Sequence, residues 1–373
     1  MSRLRKDPTR NGWVFLAEER TKRPHDVHMK GTPRSGRSAD CPFCEGNESE
    51  TPEELAAYRE PGSEVNKPGW NVRAVSNKYP VVLEHVEQAN VFEIPDLVNE
   101  ELPGFGLHEV ILESPDHRVL TSQFSPKEIG DVFRMYRDRL KTHAVDDRVA
   151  YAQVFKNVGA AAGASLEHAH SQLIATPHVP PRLEEEYGRA KTHFEKNGTC
   201  LYCDMIAAAR SGVRLVAEVD GFVALCPFAP RFPFETWILP TTHSDRFEIS
   251  SDIACRAAGA LTQRILSAIE RVIALIKTSP STLAEWAGTT GGDANGPTPE
   301  LAPDAFDTVE IAYNYVLHTS PFRAPPSPSY HWHLEIFPAI VHAAGFEWAT
   351  GIHINPIPPE KAAACLKRLL EEG

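Results

Sequence analysis

A series of chemistry-bearing residues occurs twice in this chain, in the same order, and constrains the fold more than any other feature. The first half runs Cys41-Pro-Phe-Cys44, then Ile111-Leu-Glu-Ser-Pro-Asp-His117, then His168-Ala-His170-Ser-Gln172. The second runs Cys200-Leu-Tyr-Cys203, then Ile238-Leu-Pro-Thr-Thr-His243, then His331-Trp-His333-Leu-Glu335. A thiol pair, a histidine after an apolar strand and a His-x-His recur, with different spacings. A Gly/Pro-rich stretch from Ala287 to Pro303 reads as a loop insertion that lengthens the second series. With 373 residues and roughly 100–200 residues per domain, the repeat predicts two related units, at 1–185 and 186–373.

Local patterns point to α+β architecture with antiparallel sheets and helices packed on them. Short half-buried strands are expected at Trp13–Ala17, Asn71–Val75, Glu109–Glu113, Ala152–Lys156, Gln172–Ala175, Arg214–Glu218, Glu235–Leu239, Thr308–Val316 and Trp332–Phe337. Ser125-Pro126-Lys-Glu128 is a capping-box helix start with proline in the first turn, followed by Ile129, Val132, Phe133, Tyr136 and Leu140 at helical spacing. Ser250 and Ser251 open a second long helix, and Pro359-Glu360 a third.

A Cys-x-x-Cys on a turn offers two thiolates to one tetrahedral ion, and histidines complete such sets. The expected ligands are Cys41, Cys44, His117 and His168 in the first half, and Cys200, Cys203, His243 and His331 in the second. Four protein ligands leave no open position, so both sites are expected to be structural zinc. A redox role for either pair is weaker, because no βαβ unit surrounds it. Cys226, Cys255 and Cys365 read as small buried apolar residues.

Charge and hydropathy exclude whole classes. A net charge of −12 and a pI near 5.7 argue against a nucleic-acid binder, which carries a basic face. No apolar run nears the roughly 18 residues that span a bilayer, and the first residues lack a signal peptide's apolar stretch. Sparse, paired cysteines fit reduced thiolates on metal in the cytoplasm.

The most informative stretch is Asn157-Val-Gly159-Ala-Ala-Ala-Gly163-Ala-Ser165-Leu-Glu-His168-Ala-His170-Ser-Gln172. Two glycines among small residues allow backbone amides to approach an anion. Asn157 and Ser165 offer neutral hydrogen bonds. If Ala169 is extended, His168 and His170 project from one strand face, so one can bind metal while the other points into the loop. A neutral imidazole there is a good nucleophile toward phosphorus, provided a carbonyl holds its other nitrogen protonated. Gln172, two further on, can meet a phosphoryl oxygen without adding negative charge.

This segment resembles the active-site signature of the galactose-1-phosphate uridylyltransferase branch of the histidine-triad superfamily, N-x-G-x-x-x-G-x-S-x-x-H-P-H-x-Q. Every fixed position matches except the proline, here Ala169. Asp7 to Trp13, Arg20 to Pro24, Cys41 to Cys44, Asn77 to Pro80, Ser114 to His117, Phe234 to Pro240 and Gly345 to Glu347 extend the resemblance over most of the chain. It implies a duplicated histidine-triad-like fold. By position, it makes His170 the nucleotidylated nucleophile and His168 a zinc ligand, with Gln172 and Ser165 on the transferred phosphoryl group. It places Asn157 and Gly163 in the same pocket, Arg20 and Arg23 on phosphate, and Asn77 at the nucleoside. Phe346 and Glu347 fall in a hexose-phosphate segment that can serve a partner subunit, implying a homodimer. The second half has Glu335 where the first has Gln172 and lacks the loop, so it is expected to keep fold and metal without catalysing.

The implied activity is ping-pong exchange between a sugar nucleotide and a hexose 1-phosphate. The leading expectation is a UDP-glucose:galactose-1-phosphate uridylyltransferase. An adenylyl-transferring ADP-glucose phosphorylase is the close alternative, and a non-catalytic zinc-stabilised nucleotide-binding module a more distant one. Neither nucleic acid nor a membrane is an expected partner.

Overall fold

The structure, a computed structural model, describes residues 2–6, 13–17, 40–85, 101–279, 305, 309–341 and 343–372. Arg20, Arg23 and the stretch 287–303 lie outside the described residues. A small three-stranded sheet pairs β1 (Ser2–Lys6) with β2 (Trp13–Ala17) and β5 (Glu101–Pro103). Among the described residues, the other strands form one ten-stranded sheet in which every ladder is antiparallel.

The first half of the chain supplies β3 (Glu54–Arg59), β4 (Trp70–Ser76), β6 (Leu107–Leu112), β7 (Tyr151–Val158) and β8 (His170–Thr176). The second supplies β9 (Leu215–Val219), β10 (Phe222–Leu225), β11 (Thr236–Pro240), β12 (Tyr313–His318) and β13 (His333–Pro338). Their order, β3-β4-β6-β8-β7-β12-β13-β11-β10-β9, reads the same outward from the β7–β12 seam in both directions. At that seam Val158 faces Tyr313 and Val154 faces Leu317.

One face of the sheet carries the two long helices, α1 (Pro126–Ala144) and α4 (Asp252–Thr278), whose apolar stripes form the main core with the strands beneath. The serine caps work as read. Ser125 Oγ accepts from Glu128 N–H while Glu128 accepts from Ser125 N–H, and Ser251 Oγ accepts from Ala254 N–H. The helices cross at two glycines. A Cβ on Gly259 would stand 2.9 Å from the Ile129 carbonyl oxygen, and one on Gly130 2.9 Å from Arg256 Cγ. Among the described residues, further α-helices are α2 (Pro181–Asn197), α3 (Leu201–Arg210), α5 (Gly345–Thr350) and α6 (Pro359–Glu372). Among the described residues, no helix is long and apolar enough to cross a membrane.

Two local readings shift. The expected strand 308–316 begins only at Tyr313, because Ile311 and Ala312 stand against the Gly159 turn instead. A Cβ on Gly159 would lie 2.5 Å from the Ile311 carbonyl oxygen, so that glycine is required by space as well as by its φ of +77°. Cys203 lies on α3, with Cys200 as its N-cap, so the second thiol pair opens a helix.

Candidate active site

Strand alternation sets the site. Leu173 and Ala175 of β8 enter the helix-side core, while His170 and Gln172 face the other side. On that side lies a cavity of about 470 Å³, lined among others by Pro42, Phe43, Asn77, Ser165, His170 and Gln172. His170 Nδ1 lies 2.7 Å from the His168 carbonyl oxygen. A carbonyl only accepts, so Nδ1 carries the proton and Nε2 the lone pair. Phe43, from within the first thiol pair, meets the His170 ring edge-on at 5.2 Å between centroids.

Behind His170 sits the first metal-type cluster. The ligand atoms of Cys41, Cys44, His117 and His168 lie within 4.8 Å of one another. His168 Nδ1 stands 3.5 and 3.6 Å from the sulfurs of Cys41 and Cys44, and His117 Nδ1 stands 3.6 Å from Cys44. Sulfur and nitrogen donors around one tetrahedral zinc stand roughly 3.6 Å apart, given bonds of about 2.3 and 2.0 Å. His168 Nε2 donates to the Ser114 carbonyl at 2.8 Å, the outer bond that orients a ligating imidazole. Burial holds His168 neutral, down at about 3, and pushes the Cys41 thiol up to about 12. A divalent cation at this spot would favour the thiolate instead.

The second cluster repeats the first. Cys200, Cys203, His243 and His331 also bring their ligand atoms within 4.8 Å. Both imidazoles turn Nδ1 to Cys203 at 3.7 Å, and their Nε2 atoms lie on the carbonyls of Ser327 and Pro240. Burial, then the neighbouring His243, hold His331 down at about 3. Each cluster can therefore hold a metal ion.

Other expected site residues divide. Ser165 and Asn77 reach the cavity. The Gly159–Gly163 turn does not present a row of open amides. Ala161 N–H donates to the Glu310 carboxylate, Ala162 and Ala164 donate to the Gly159 carbonyl, and Gly163 donates to Ala160. Gly163, at φ +82°, supplies a left-handed turn. Asn157 Oδ1 accepts from Asn314 Nδ2 at 2.8 Å, across the seam between halves. Phe346 and Glu347 lie on exposed α5 and are not among the residues lining the cavity. Glu347 instead caps its own helix by accepting from Ala344 N–H.

Sequence reasoning missed three residues. His108 on β6 joins Gln172, with its Nε2 3.0 Å from Gln172 Oε1. The signal was register: its near neighbour Val110 pairs with Gln172 across the ladder. Glu186 on α2 and His318 on β12 enclose His333 in the second half.

Comparison with known proteins places this geometry. The profile described as galactose-1-phosphate uridyl transferase, N-terminal domain, matches residues 1–180. An ADP-glucose phosphorylase from Arabidopsis thaliana is 34% identical over 369 residues, covering 98% of this chain and 92% of that protein. A galactose-1-phosphate uridylyltransferase from Thermotoga maritima is 27% identical, covering 98% of each chain. A crystal structure of an Arabidopsis thaliana ADP-glucose phosphorylase with bound ADP-glucose superposes with a TM-score of 0.69 at 33% identity, over 98% of each chain. With a relative this similar over nearly its whole length, the chain belongs to the galactose-1-phosphate uridylyltransferase family of nucleotidyltransferases, within the histidine-triad superfamily.

Proposed function

We propose that this enzyme moves an adenylyl group from ADP-glucose to inorganic phosphate through His170. The observation that carries the reading is the His170 imidazole, with Nδ1–H fixed on the His168 carbonyl and its ring on the cavity wall. Nε2 attacks the phosphorus that bears adenosine. The bond from that phosphorus to the bridging oxygen breaks, and glucose 1-phosphate leaves. An oxygen of inorganic phosphate then attacks the same phosphorus, the phosphorus–nitrogen bond breaks, and ADP leaves with neutral His170 restored. Ser165 and Gln172 hydrogen-bond the phosphoryl oxygens as charge develops on them. Arg20 and Arg23 are assigned to phosphate, Asn77, Asn157 and Gly163 to the nucleotide pocket, and Phe346 and Glu347 to the hexose of a partner subunit's site in a homodimer.

The adenylyl reading is preferred over UDP-glucose:galactose-1-phosphate exchange because the 34% identical relative is named for ADP-glucose, while the relative named for galactose 1-phosphate stands at 27%. The uridylyl reading keeps support from the family profile and from that second relative. Glucose 1-phosphate release from ADP-glucose with phosphate, and from UDP-glucose with galactose 1-phosphate, decides between them. The expected kcat/KM favours the first pair by at least about tenfold. The reverse preference restores the uridylyl reading.

Residues 1–185 carry this chemistry in our reading, and 186–373 form a second unit that supplies fold and metal. Both four-ligand clusters are assigned zinc, which contributes folding energy when bound. Metal analysis should find about two zinc ions per chain, and none after gentle purification would overturn the assignment. Reduced thiols on metal fit a cytoplasmic enzyme.

A further inference from the structure

We propose that His108 is the positioning residue that decides which end of the Gln172 amide meets the transferring phosphoryl group, an inference that rests on the nucleotidyl-transfer reading above. A glutamine amide is nearly symmetric in shape, but its two ends act in opposite ways. Its nitrogen donates to a phosphoryl oxygen, whereas its oxygen would repel one. Something must hold the amide one way round, and His108 stands where that is done.

His108 is buried on β6, and its ring joins two backbone-fixed segments. Val81 N–H lies 3.2 Å from His108 Nδ1. A backbone N–H only donates, so Nδ1 must offer its lone pair, and the single proton of the neutral ring resides on Nε2. That nitrogen lies 3.0 Å from Gln172 Oε1. Asn77 comes equally near it, Nδ2 at 3.0 Å. Its own oxygen accepts from Tyr79 N–H at 2.8 Å, so Asn77 turns its NH₂ there, and against a protonated Nε2 that approach is a contact and not a hydrogen bond. The acceptor that the Nε2 proton meets is Gln172 Oε1. With its oxygen held on His108, Gln172 turns its NH₂ group to the other side of the amide, where His170 and the cavity lie. Asn77 N–H also donates to the His108 carbonyl at 2.7 Å, tying the end of β4 to the same residue. His108 thus links Asn77 to Gln172 without itself being among the residues that line the cavity.

Two substitutions separate this role from mere packing. His108→Asn keeps an acceptor near Val81 but removes the donor to Gln172. His108→Gln keeps a donor at about the Nε2 position. In rapid-mixing measurements of protein labelling by ADP-glucose, His108→Asn should slow adduct formation about 10- to 100-fold, a fraction of what loss of an oriented donor costs. The apparent affinity for the sugar nucleotide should stay within about threefold, and His108→Gln should recover much of the rate. In the Gln172→Ala background His108→Asn should add no further loss, since both act through one amide. Nitrogen-15 spectra of histidine-labelled protein should show His108 as the neutral Nε2–H tautomer, identified by its loss in His108→Gln.

Additive losses in the double variant, a weakened affinity with an unchanged rate, or an Nδ1–H tautomer would each overturn the role of His108 and leave the functional reading standing. A wild-type enzyme that takes label from neither ADP-glucose nor UDP-glucose would instead sink the functional reading, and the proposal with it.

Discussion

His170 and His333 stand at equivalent places on equivalent strands of the two halves, and their surroundings differ completely. Each ring places Nδ1 on the carbonyl two residues earlier, at 2.7 Å in the first half and 3.0 Å in the second. Each follows a histidine whose Nδ1 turns to a thiol pair. Beyond that the likeness ends. His170 lines an open cavity. His333 is fully buried, stacked between His318 at 4.7 Å and Trp237 at 5.0 Å between centroids. Glu186 from α2 reaches within 3.5 Å of His333 Nε2, the atom that would have to attack. Glu335, in the place of Gln172, is ion-paired to Arg231 at 2.6 Å and lies 3.5 Å from His318. Burial opposes these charges, but His318 and His333 hold Glu186 down at about 2, and the two carboxylates hold His318 up at about 10. The same fold thus carries an open cavity in one half and a closed ion network in the other. What distinguishes them is a handful of side chains facing one histidine.

The largest effect should separate the two histidines. His170→Ala is expected to lower turnover by at least about 10⁴-fold, as loss of a covalent nucleophile does. His333→Ala should leave the turnover of folded enzyme nearly unchanged. Steady-state assays on both variants, normalised to folded protein, check this.

The second prediction attacks the ion network. His318→Ala leaves Glu186 and Glu335 without the cation between them. Removing one partner of a buried charge group costs about 3–5 kcal/mol. Urea unfolding should register that loss while the rate of labelling at His170 stays within about twofold.

A smaller effect compares two buried carboxylates beneath the sheet. Glu113 is ion-paired to fully buried Lys156 and accepts from Tyr136 O–H at 3.0 Å. Glu270 on α4 accepts from Tyr313 O–H, and burial pushes its carboxyl up to about 7. Its folded value lies above the ordinary one, so its stabilising contribution is complete below about pH 4.5 and is lost as pH rises through about 7. Glu270→Gln should therefore gain about 1–3 kcal/mol on the wild type between pH 5 and pH 8. Unfolding curves at the two pH values measure it, and a pH-independent difference would contradict the account.

The sequence carried the parts of this comparison that depend on short-range chemistry. Ser125, Pro126 and Glu128 announced α1 because a cap is local. The cysteines and histidines of both clusters were identifiable because metal ligation demands those residue types. Residues acting across the fold stayed hidden. α2 buries only Leu183 and Ala190, so it has no apolar stripe to betray it, and Glu186 was lost with it. His108 stands just before the strand expected at Glu109–Glu113, and only the β6–β8 register brings it to Gln172. His318 gave no signal of its own, since Glu186 and Glu335 approach it from different elements.

The central claim is that covalent chemistry occurs at one histidine of the repeated pair. Mass spectrometry of protein mixed with ADP-glucose and, separately, with UDP-glucose, without an acceptor, tests it most directly. The account predicts an acid-labile nucleotidyl adduct on the peptide carrying His170, formed faster from ADP-glucose. Turnover with no adduct, or an adduct on the peptide carrying His333, would contradict it.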